Sequence, residues 1–312
     1  MATMKAVRMH SYGGSDVLVY EDAPRPSIAD DEILVRVHAA AINPVDWKIR
    51  EGYLKQMIAY QLPIILGWDV SGIVEEVGSH VKDFQVGDAV YSRPDLTRNG
   101  GYAEYIAIRA AEVAAKPKSI DHIAAASVPL AGLTAWQALF DQANLSAGQT
   151  VLIHAAAGGV GTFAVQFAKW KGAYVIGRSS RNQDFLRELG IDQVIDYQQT
   201  RFEDVVKDVD VVFDTIGGEV QERSWQVLKK GGILVSIVSP PSKESAATYG
   251  VTEKYFFLQP NAAQLTEIAG LIDAGYIKTI VETVLPLNQA RQAHELSQSG
   301  HTRGKIVLQV AD

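Results

Sequence analysis

The sequence predicts an α/β protein of two domains, one β-rich and one a doubly wound parallel sheet with helices on both faces. Three observations predict it. The chain has 312 residues, and domains run to roughly 100–200 residues each. Its first third carries short β-branched runs punctuated by Gly, Pro and Asp. Its middle alternates apolar runs with amphipathic stretches, the pattern of repeated βα units.

In order, KAVRMH, DVLVYED, EILVRVHAAAI, VSGIVEEVG, DAVYS and YAEYIAI read as strands across residues 4–116, separated by turns such as YGGS, APRPS and VGD. Helices are expected at Pro44–Arg50 and near Tyr53–Tyr60. After Lys118, Ser119–Ser127 and Gly132–Ala143 read as helices. VLIHAA is then a strand, followed by a helix on which Val160, Phe163, Ala164, Phe167, Ala168 and Lys171 recur at i, i+3, i+4 spacing. AYVIG, QVIDY, VDVVFDTIG and GILVSIVS read as strands, with helices at Gln183–Gly190, Phe202–Lys207 and Glu219–Lys230 between them. Apolar runs without alternation suit strands buried on both faces. Helices at Ala262–Ala274 and Gln289–Ser297 and a strand KIVLQV complete the chain. These last residues are expected to pack back onto the β-rich domain, leaving a cleft between the domains, a common ligand location. The expected division is residues 1–120 with 258–312, and residues 121–257.

Composition narrows the function. Hydrophobic residues make up 47% and charged residues 21%, as in ordinary globular proteins. No run approaches the ~18 apolar residues of a membrane helix, and the N-terminus turns polar too early for a signal peptide. A soluble, cytoplasmic chain is expected, with no membrane association. The net charge of −7 argues against nucleic acid. There is no cysteine, so disulfides, thiolate zinc sites and a cysteine nucleophile are excluded. The seven histidines form no HxH or HExxH pattern, and no metal site is expected.

The stretch HAAAGGVG, residues 154–161, follows a strand and opens a helix inside a βα unit. That is the context of a dinucleotide-binding turn. Gly158 would permit a tight turn and close approach of a pyrophosphate, and Gly161 close packing of helix on strand. The helix start offers unpaired N–H groups and the positive end of its dipole. Ala156 stands where the first glycine of GxGxxG would be, and the alternative is that the glycines serve packing alone. An acid at the end of the second strand would select NAD, whereas a basic site would accept the 2′-phosphate of NADP. The chain has GRSSRN there (Gly177–Asn182). Ser179 and Arg181 offer donors to a phosphate, Tyr197 could close over it, and the alternative is a solvated loop.

These segments, together with AAINPVDWKIREG, PIILGWDVSGIVEEVGSHVKDFQVGDAVYS, GGYAEY, PLAGLTAWQAL, FDTIGG and RGKIVL, resemble the medium-chain dehydrogenase/reductase superfamily. They are similar to its zinc-independent, quinone-oxidoreductase-like branch, which includes zeta-crystallin and the alkenal/enone reductases. The resemblance covers nearly the whole chain. It implies a GroES-like catalytic domain, a Rossmann nucleotide-binding domain, and a homodimer joined at the edge strands of the nucleotide-binding sheets. The zinc-dependent relatives place a histidine and an acid after the glycine of the LG motif, where this chain has Trp68 and Asp69. Their catalytic cysteine falls near Asn43.

The resemblance further implies NADPH as cofactor and a small quinone or α,β-unsaturated carbonyl as substrate. Asn43 and Asp46 match the polar pair beneath the nicotinamide, although Asp46 also reads as a helix-cap carboxylate. Thr134 matches a cofactor-contacting position. Gly158, Gly159 and Val160, flanked by Ala156 and Gly161, match the pyrophosphate cradle. Ser179, Arg181 and Tyr197 match the 2′-phosphate site. Val238 and Phe257 match nicotinamide neighbours, and Lys305 a residue near the cofactor. Two tyrosines of bacterial quinone oxidoreductases fall on Lys48 and Leu54. Asn43, Lys48 and Tyr53 are therefore the catalytic candidates, with water as the alternative to Tyr53 as proton donor. An enoyl-thioester reductase and a non-catalytic NADPH-binding protein are the other readings.

Overall fold

A computed structural model describes residues 2–311. The chain divides into two compact units, residues through Leu130 with Pro260 onward, and Ala131–Gln259.

The first unit is built from β1 (Thr3–Met9), β2 (Leu18–Pro24), β3 (Glu32–Ala41), helix α1 (Pro44–Arg50), β4 (Ile64–Ile65), β5 (Val70–Val77), β6 (Ala89–Ser92), β7 (Tyr105–Arg109), β8 (Val113–Ala115) and α2 (His122–Ala126). The boundary falls within α3 (Pro129–Trp136), which runs into a π-helical turn at Gln137–Gln142. The second unit continues with β9 (Thr150–Ile153), α4 (Gly159–Trp170), β10 (Tyr174–Arg178), α5 (Gln183–Glu188), β11 (Gln193–Ile195), α6 (Phe202–Val205), β12 (Val209–Asp214), α7 (Gly218–Ser224), β13 (Leu228–Ser236), α8 (Lys243–Tyr249) and β14 (Thr252–Tyr255). Helix α9 (Ala262–Asp273), β15 (Val281–Pro286), α10 (Ala290–Gln298) and β16 (Lys305–Gln309) belong to the first unit.

In the first unit a sheet ordered β15-β16-β3-β5-β6-β8, with β7 also pairing β3, accompanies a three-stranded sheet β2-β1-β4. Strand β3 is central: it pairs antiparallel with β5 on one side and with β7 and β16 on the other. Both its faces are covered, so EILVRVHAAA is buried almost throughout. The pairing of Val307–Gln309 with Ala39–Ala41 returns the C-terminal strand beside the end of β3. That register carries Lys305 next to Asn43.

In the second unit six parallel strands run in the order β11-β10-β9-β12-β13-β14. This is the doubly wound order with its switch point between β9 and β12, where ligands bind beyond the carboxyl ends of the strands. Strand β12 is buried at every position, as its unalternating VDVVFD predicts.

Several boundaries differ from expectation. Tyr53–Tyr60 is a series of turns rather than a helix, because α1 stops before Gly52, whose φ is +84°. The helix expected at Glu219–Lys230 ends at Ser224. A 3-10 turn follows at Trp225–Val227, and Leu228 already pairs with Val209 in the sheet. Burial of Trp225 and Val227 and the sheet's hydrogen bonds outweigh the local helical pattern there. Helices α2 and α3 start later and earlier, respectively, than expected. Asp121 caps α2 by accepting from the Ala124 amide at 2.7 Å. Helix α8 and strands β14 and β15 were not expected at all. Among the described residues no helix is long and apolar enough to cross a membrane.

Candidate active site

Helix α1 begins with Asn43-Pro44-Val45-Asp46. Proline suits the first helical position because its missing N–H has no helical acceptor to lose. Asn43 and Asp46 form a capping box, in which the backbone N–H of Asn43 donates to Asp46 Oδ2 at 2.7 Å. The cap expected of Asp46 is therefore present. Asp46 is completely buried, however, and its Oδ2 also accepts from the Tyr102 hydroxyl at 2.7 Å, while Oδ1 has no hydrogen-bond donor among the described residues. Burial, only partly opposed by the two hydrogen bonds and the Lys305 charge, pushes its carboxyl up to about 7. Tyr102 reaches it by lying against Gly67. At φ +90°, Gly67 has a conformation few other residues adopt, and a Cβ there would stand 2.2 Å from the tyrosine ring.

The Asn43 side chain is fixed from both ends. Its Nδ2 donates to Asp69 Oδ2 at 2.8 Å, and its Oδ1 accepts from the Lys305 ammonium. Lys305 also donates to Ile42 O at 2.9 Å and to Asp69 Oδ2 at 3.1 Å. Asp69 Oδ1 accepts from the Leu130 amide at 2.5 Å. All three groups are buried, with Lys305 4% and Asp69 0% exposed. Burial raises the Asp69 carboxyl above its usual value, while Lys305 and the hydrogen bonds to Asn43 and Leu130 oppose that shift. An ammonium has three N–H donors, and all three of Lys305's are used. The Asn43 amide has two N–H donors, one of them committed to Asp69. Its orientation follows from its neighbours, since a flipped amide would turn NH₂ toward the ammonium. A fixed amide N–H and a carboxyl titrating near neutrality thus lie one helical turn apart. Among the described residues no group of three or more His, Cys, Asp or Glu could hold a metal ion.

Lys48 and Tyr53 do not join this network. Lys48 is half-buried, with its ammonium 5.7 Å from the Trp47 ring, and burial lowers its pKa. Tyr53 is 66% exposed, and its hydroxyl interacts with Glu51, the main cause that raises its pKa.

In the second unit, β9 leads through HAAAGGVG into α4, with Gly158 as N-cap and no capping side chain. Gly161 is required for packing: a Cβ would lie 2.3 Å from Ala155 O and 2.7 Å from Ala156 O, both backbone atoms. The tight turn expected of Gly158 is made elsewhere. Ala155 takes the left-handed conformation, at φ +50°, whereas Gly158 is extended at φ −77°. A Cβ on Gly158 would meet only Ala155 O, at 3.3 Å. What its missing side chain leaves open is space before the first turn of α4, where Gly159 and Val160 lie part-exposed. Ala156 is buried against Gly177, whose own Cβ would stand 2.7 Å from that of Ala156. An uncapped twelve-residue helix start at a sheet switch point, with room for a close anion, fits a dinucleotide pyrophosphate.

At the end of β10 the two basic residues part company. The Arg178 guanidinium turns inward, donating to His154 Nδ1 at 3.1 Å over the Phe202 ring at 4.8 Å. Burial and the Arg178 charge hold His154 neutral, well below its usual pKa. With Nδ1 accepting, His154 Nε2–H donates to Ser224 Oγ at 2.8 Å, which donates onward to Val220 O at 2.7 Å. Ser179 is buried, with its amide on Ile195 O at 3.0 Å, while Arg181 and Tyr197 are exposed. The Tyr197 ring lies 5.5 Å from the Arg178 guanidinium. Thr134 is buried on α3, and Val238 and Phe257, which follow β13 and β14, are part-exposed at 37% and 39%. Asp214, at the end of β12, accepts from the Ile216 and Gly217 amides, Gln221 and Ser236, which shapes the DTIGG turn beside the switch point.

Sequence reasoning missed Asp69, Tyr102, His154 and Asp214 as members of these networks. The acid in IILGWDVSGI was one usable signal, since an unpaired carboxylate in so apolar a run is costly to bury. Nothing local marked Tyr102, which lies 56 positions beyond Asp46.

Residues 29–118 match the alcohol dehydrogenase GroES-like domain, and residues 189–308 match the zinc-binding dehydrogenase model. A mitochondrial NAD(P)H oxidoreductase of Danio rerio is 34% identical over 355 residues, spanning 99% of this chain and 92% of that protein. The chain belongs to the medium-chain dehydrogenase/reductase superfamily. Within it, a chloroplastic NADPH-dependent alkenal/one oxidoreductase of Arabidopsis thaliana is 36% identical, covering 98% of this chain and 79% of that protein. The quinone oxidoreductase of Coxiella burnetii superposes with a TM-score of 0.94 at 36% identity, covering 99% of this chain and all of that one. The two units correspond to the GroES-like and Rossmann-like parts of that fold. The protein is an oxidoreductase of the quinone- and enone-reductase-like kind.

Proposed function

We propose that this chain reduces quinones or α,β-unsaturated carbonyls with NADPH, without zinc. The observation that carries the reading is the Lys305–Asn43–Asp69 network. The ammonium of Lys305 is a buried cation of this site, satisfied by Ile42 O, Asn43 and Asp69. The residue beside Asp69 that would have to ligate a metal is Trp68, whose indole donates to Arg98 O at 3.1 Å. What the site offers a substrate oxygen is the fixed Asn43 amide, which suits an acceptor already polarised by conjugation.

Gly158, Gly159, Val160 and Gly161 would hold the pyrophosphate, with Ala156 shaping the turn. Ser179, Arg181 and Tyr197 would hold the 2′-phosphate. The nicotinamide contacts proposed on the second unit are Thr134, Val238 and Phe257, and those proposed on the first are Asn43, Asp46 and Lys305. Bound NADPH supplies a hydride equivalent. Asn43 donates to the substrate oxygen, on which negative charge develops, and Lys305 and Asp69 keep that amide from turning. The placement of Tyr53, exposed and engaged with Glu51, favours water over Tyr53 as the source of the proton that completes the reduction. Two copies would pair along β14, the edge of the parallel sheet, whose residues are largely exposed.

The deciding experiment uses 4-deuterated NADPH with a small panel of enones and quinones. Label at the β-carbon of a saturated ketone supports the reading. Label at a carbinol carbon, or comparable oxidation of simple alcohols, refutes it. Binding of NADPH without turnover of any acceptor would favour a non-catalytic role. Turnover confined to acyl thioesters would favour the enoyl-thioester reductase. Titration with NADPH and NADH tests the 2′-phosphate site, where removing Arg181 should cost about 1.5–3 kcal/mol of NADPH binding, as for a charge-assisted hydrogen bond.

A further inference from the structure

Arg93 directly follows β6, in which Ser92 pairs with Val70, the neighbour of Asp69. The pairing brings Arg93 beside the Asn43 network. The side chain is buried, at 3% exposure. Among the described residues its one hydrogen bond, from Nη1 to Pro94 O, is long at 3.4 Å, and Nε has no acceptor. The acids around it are engaged elsewhere. Asp69 is taken by the Leu130 backbone N–H, the Asn43 side chain and Lys305, and Asp46 by the Asn43 backbone N–H and Tyr102. Asp95 accepts from Thr97 and Arg109, and Glu112 from the Asp95 amide and Arg109. None of the four forms an ion pair with Arg93 among the described residues. Burial lowers its pKa, yet a guanidinium keeps its charge in proteins.

A buried guanidinium with most of its five donors unused is poised for an anion that the protein itself does not supply. With Nη1 turned to Pro94 O, the edge that remains is the Nε–Nη2 fork. That edge presents two parallel N–H groups, the spacing of a carboxylate's two oxygens.

We propose that Arg93 is a specificity residue of this site, and that the preferred acceptor carries a carboxylate as well as its conjugated carbonyl. The inference rests on the reduction reading above for the conjugated carbonyl, and on Arg93 alone for the carboxylate. The Asn43 amide would meet the carbonyl oxygen and the Arg93 fork the carboxylate, so a short oxo-alkenoate would bridge both.

Binding is measured by calorimetry on the full chain, with and without NADP, using 4-oxopentanoate and its uncharged counterpart 2-pentanone. Neither can be reduced at a conjugated double bond. Wild type should bind 4-oxopentanoate at least 10-fold more tightly than Arg93→Gln does, with 2-pentanone unchanged between them. Arg93→Lys keeps the charge and loses the fork, so it should fall in between; it also serves if Arg93→Gln does not fold. Equal binding of 4-oxopentanoate to wild type and Arg93→Lys, or none to wild type, overturns the proposal and makes Arg93 a packing residue. Turnover of 4-oxopent-2-enoate against pent-3-en-2-one separates the two readings. Reduction of the neutral enone with Arg93-independent carboxylate binding sinks only the Arg93 proposal. Arg93-dependent binding with neither compound reduced sinks only the reduction reading.

Discussion

Replacing Lys305 with methionine tests whether the Asn43 network is held by charge. The substitution keeps most of the buried volume and removes three hydrogen bonds, to Ile42 O, Asn43 Oδ1 and Asp69 Oδ2. Lys305 and Asp69 are 4% and 0% exposed, so solvent screens the pair little. Removing one member of a buried pair leaves an uncompensated charge and typically costs about 3–5 kcal/mol. Asp69 would keep its bonds from Asn43 and Leu130, which places the expected loss nearer 3 kcal/mol. Asp69→Asn alone strands the ammonium and should cost a similar amount. The double variant removes both charges and should cost clearly less than the sum of the singles, with a coupling of about 2 kcal/mol or more. Urea unfolding followed through tryptophan emission reads this, since Trp68 adjoins Asp69. The freed Asn43 amide should also lower kcat. Single effects below about 1 kcal/mol that simply add would refute the claim that this network is a coupled, desolvated unit.

Further outcomes are expected. Asp46 is protonated in both folded and unfolded chains below its ordinary value of 3.8 and stays protonated in the fold up to about 7. Between these values the folded state binds more protons, so stability falls as pH rises, by on the order of 4 kcal/mol for this group at most. Asp46→Asn, which resembles the protonated carboxyl, should flatten that fall; urea midpoints at pH 4 and pH 8 that change equally in both proteins would contradict it. Gly161→Ala should destabilise the nucleotide-binding unit by about 1–3 kcal/mol through backbone overlap, while Gly158→Ala should fold normally and lose NADPH affinity. Thermal unfolding and NADPH titration of the pair would show the reverse if Gly158 made the tight turn. His154→Phe should cost about 1–3 kcal/mol by leaving Arg178 and Ser224 without a shared neighbour, and unchanged thermal stability would show that Arg178 finds another acceptor.

The repeated βα units were legible because their strands are buried on both faces and carry unalternating apolar runs, a signal that needs no knowledge of neighbours. HAAAGGVG was legible for the same reason: strand, glycines and amphipathic helix are adjacent in sequence. So was Asp46 as a helix-cap carboxylate, because the backbone it caps lies three residues before it. Elements whose state depends on distant pairing were not. Leu228–Lys230 reads as the end of a helix and is a strand because Val209 lies beside Leu228. Within the glycine-rich turn, composition suggested that Gly158 takes the strained position, whereas the chain path puts Ala155 there. Arg181 was legible as a donor in the loop after β10 because no acid ends that strand, but only the position of His154 showed that Arg178, the last residue of β10, turns inward. The candidate site shows the division most clearly. Asn43, Asp69, Tyr102 and Lys305 lie far apart in sequence, and none is part of a periodic pattern. Sheet register brings Lys305 to Asn43, and Gly67 admits Tyr102 to Asp46. Sequence alone determined which residue types were present to do chemistry, because that depends on covalent structure. Tertiary structure decided which of them were desolvated and paired, because hydrogen bonds and charge interactions depend on distance through space rather than along the chain.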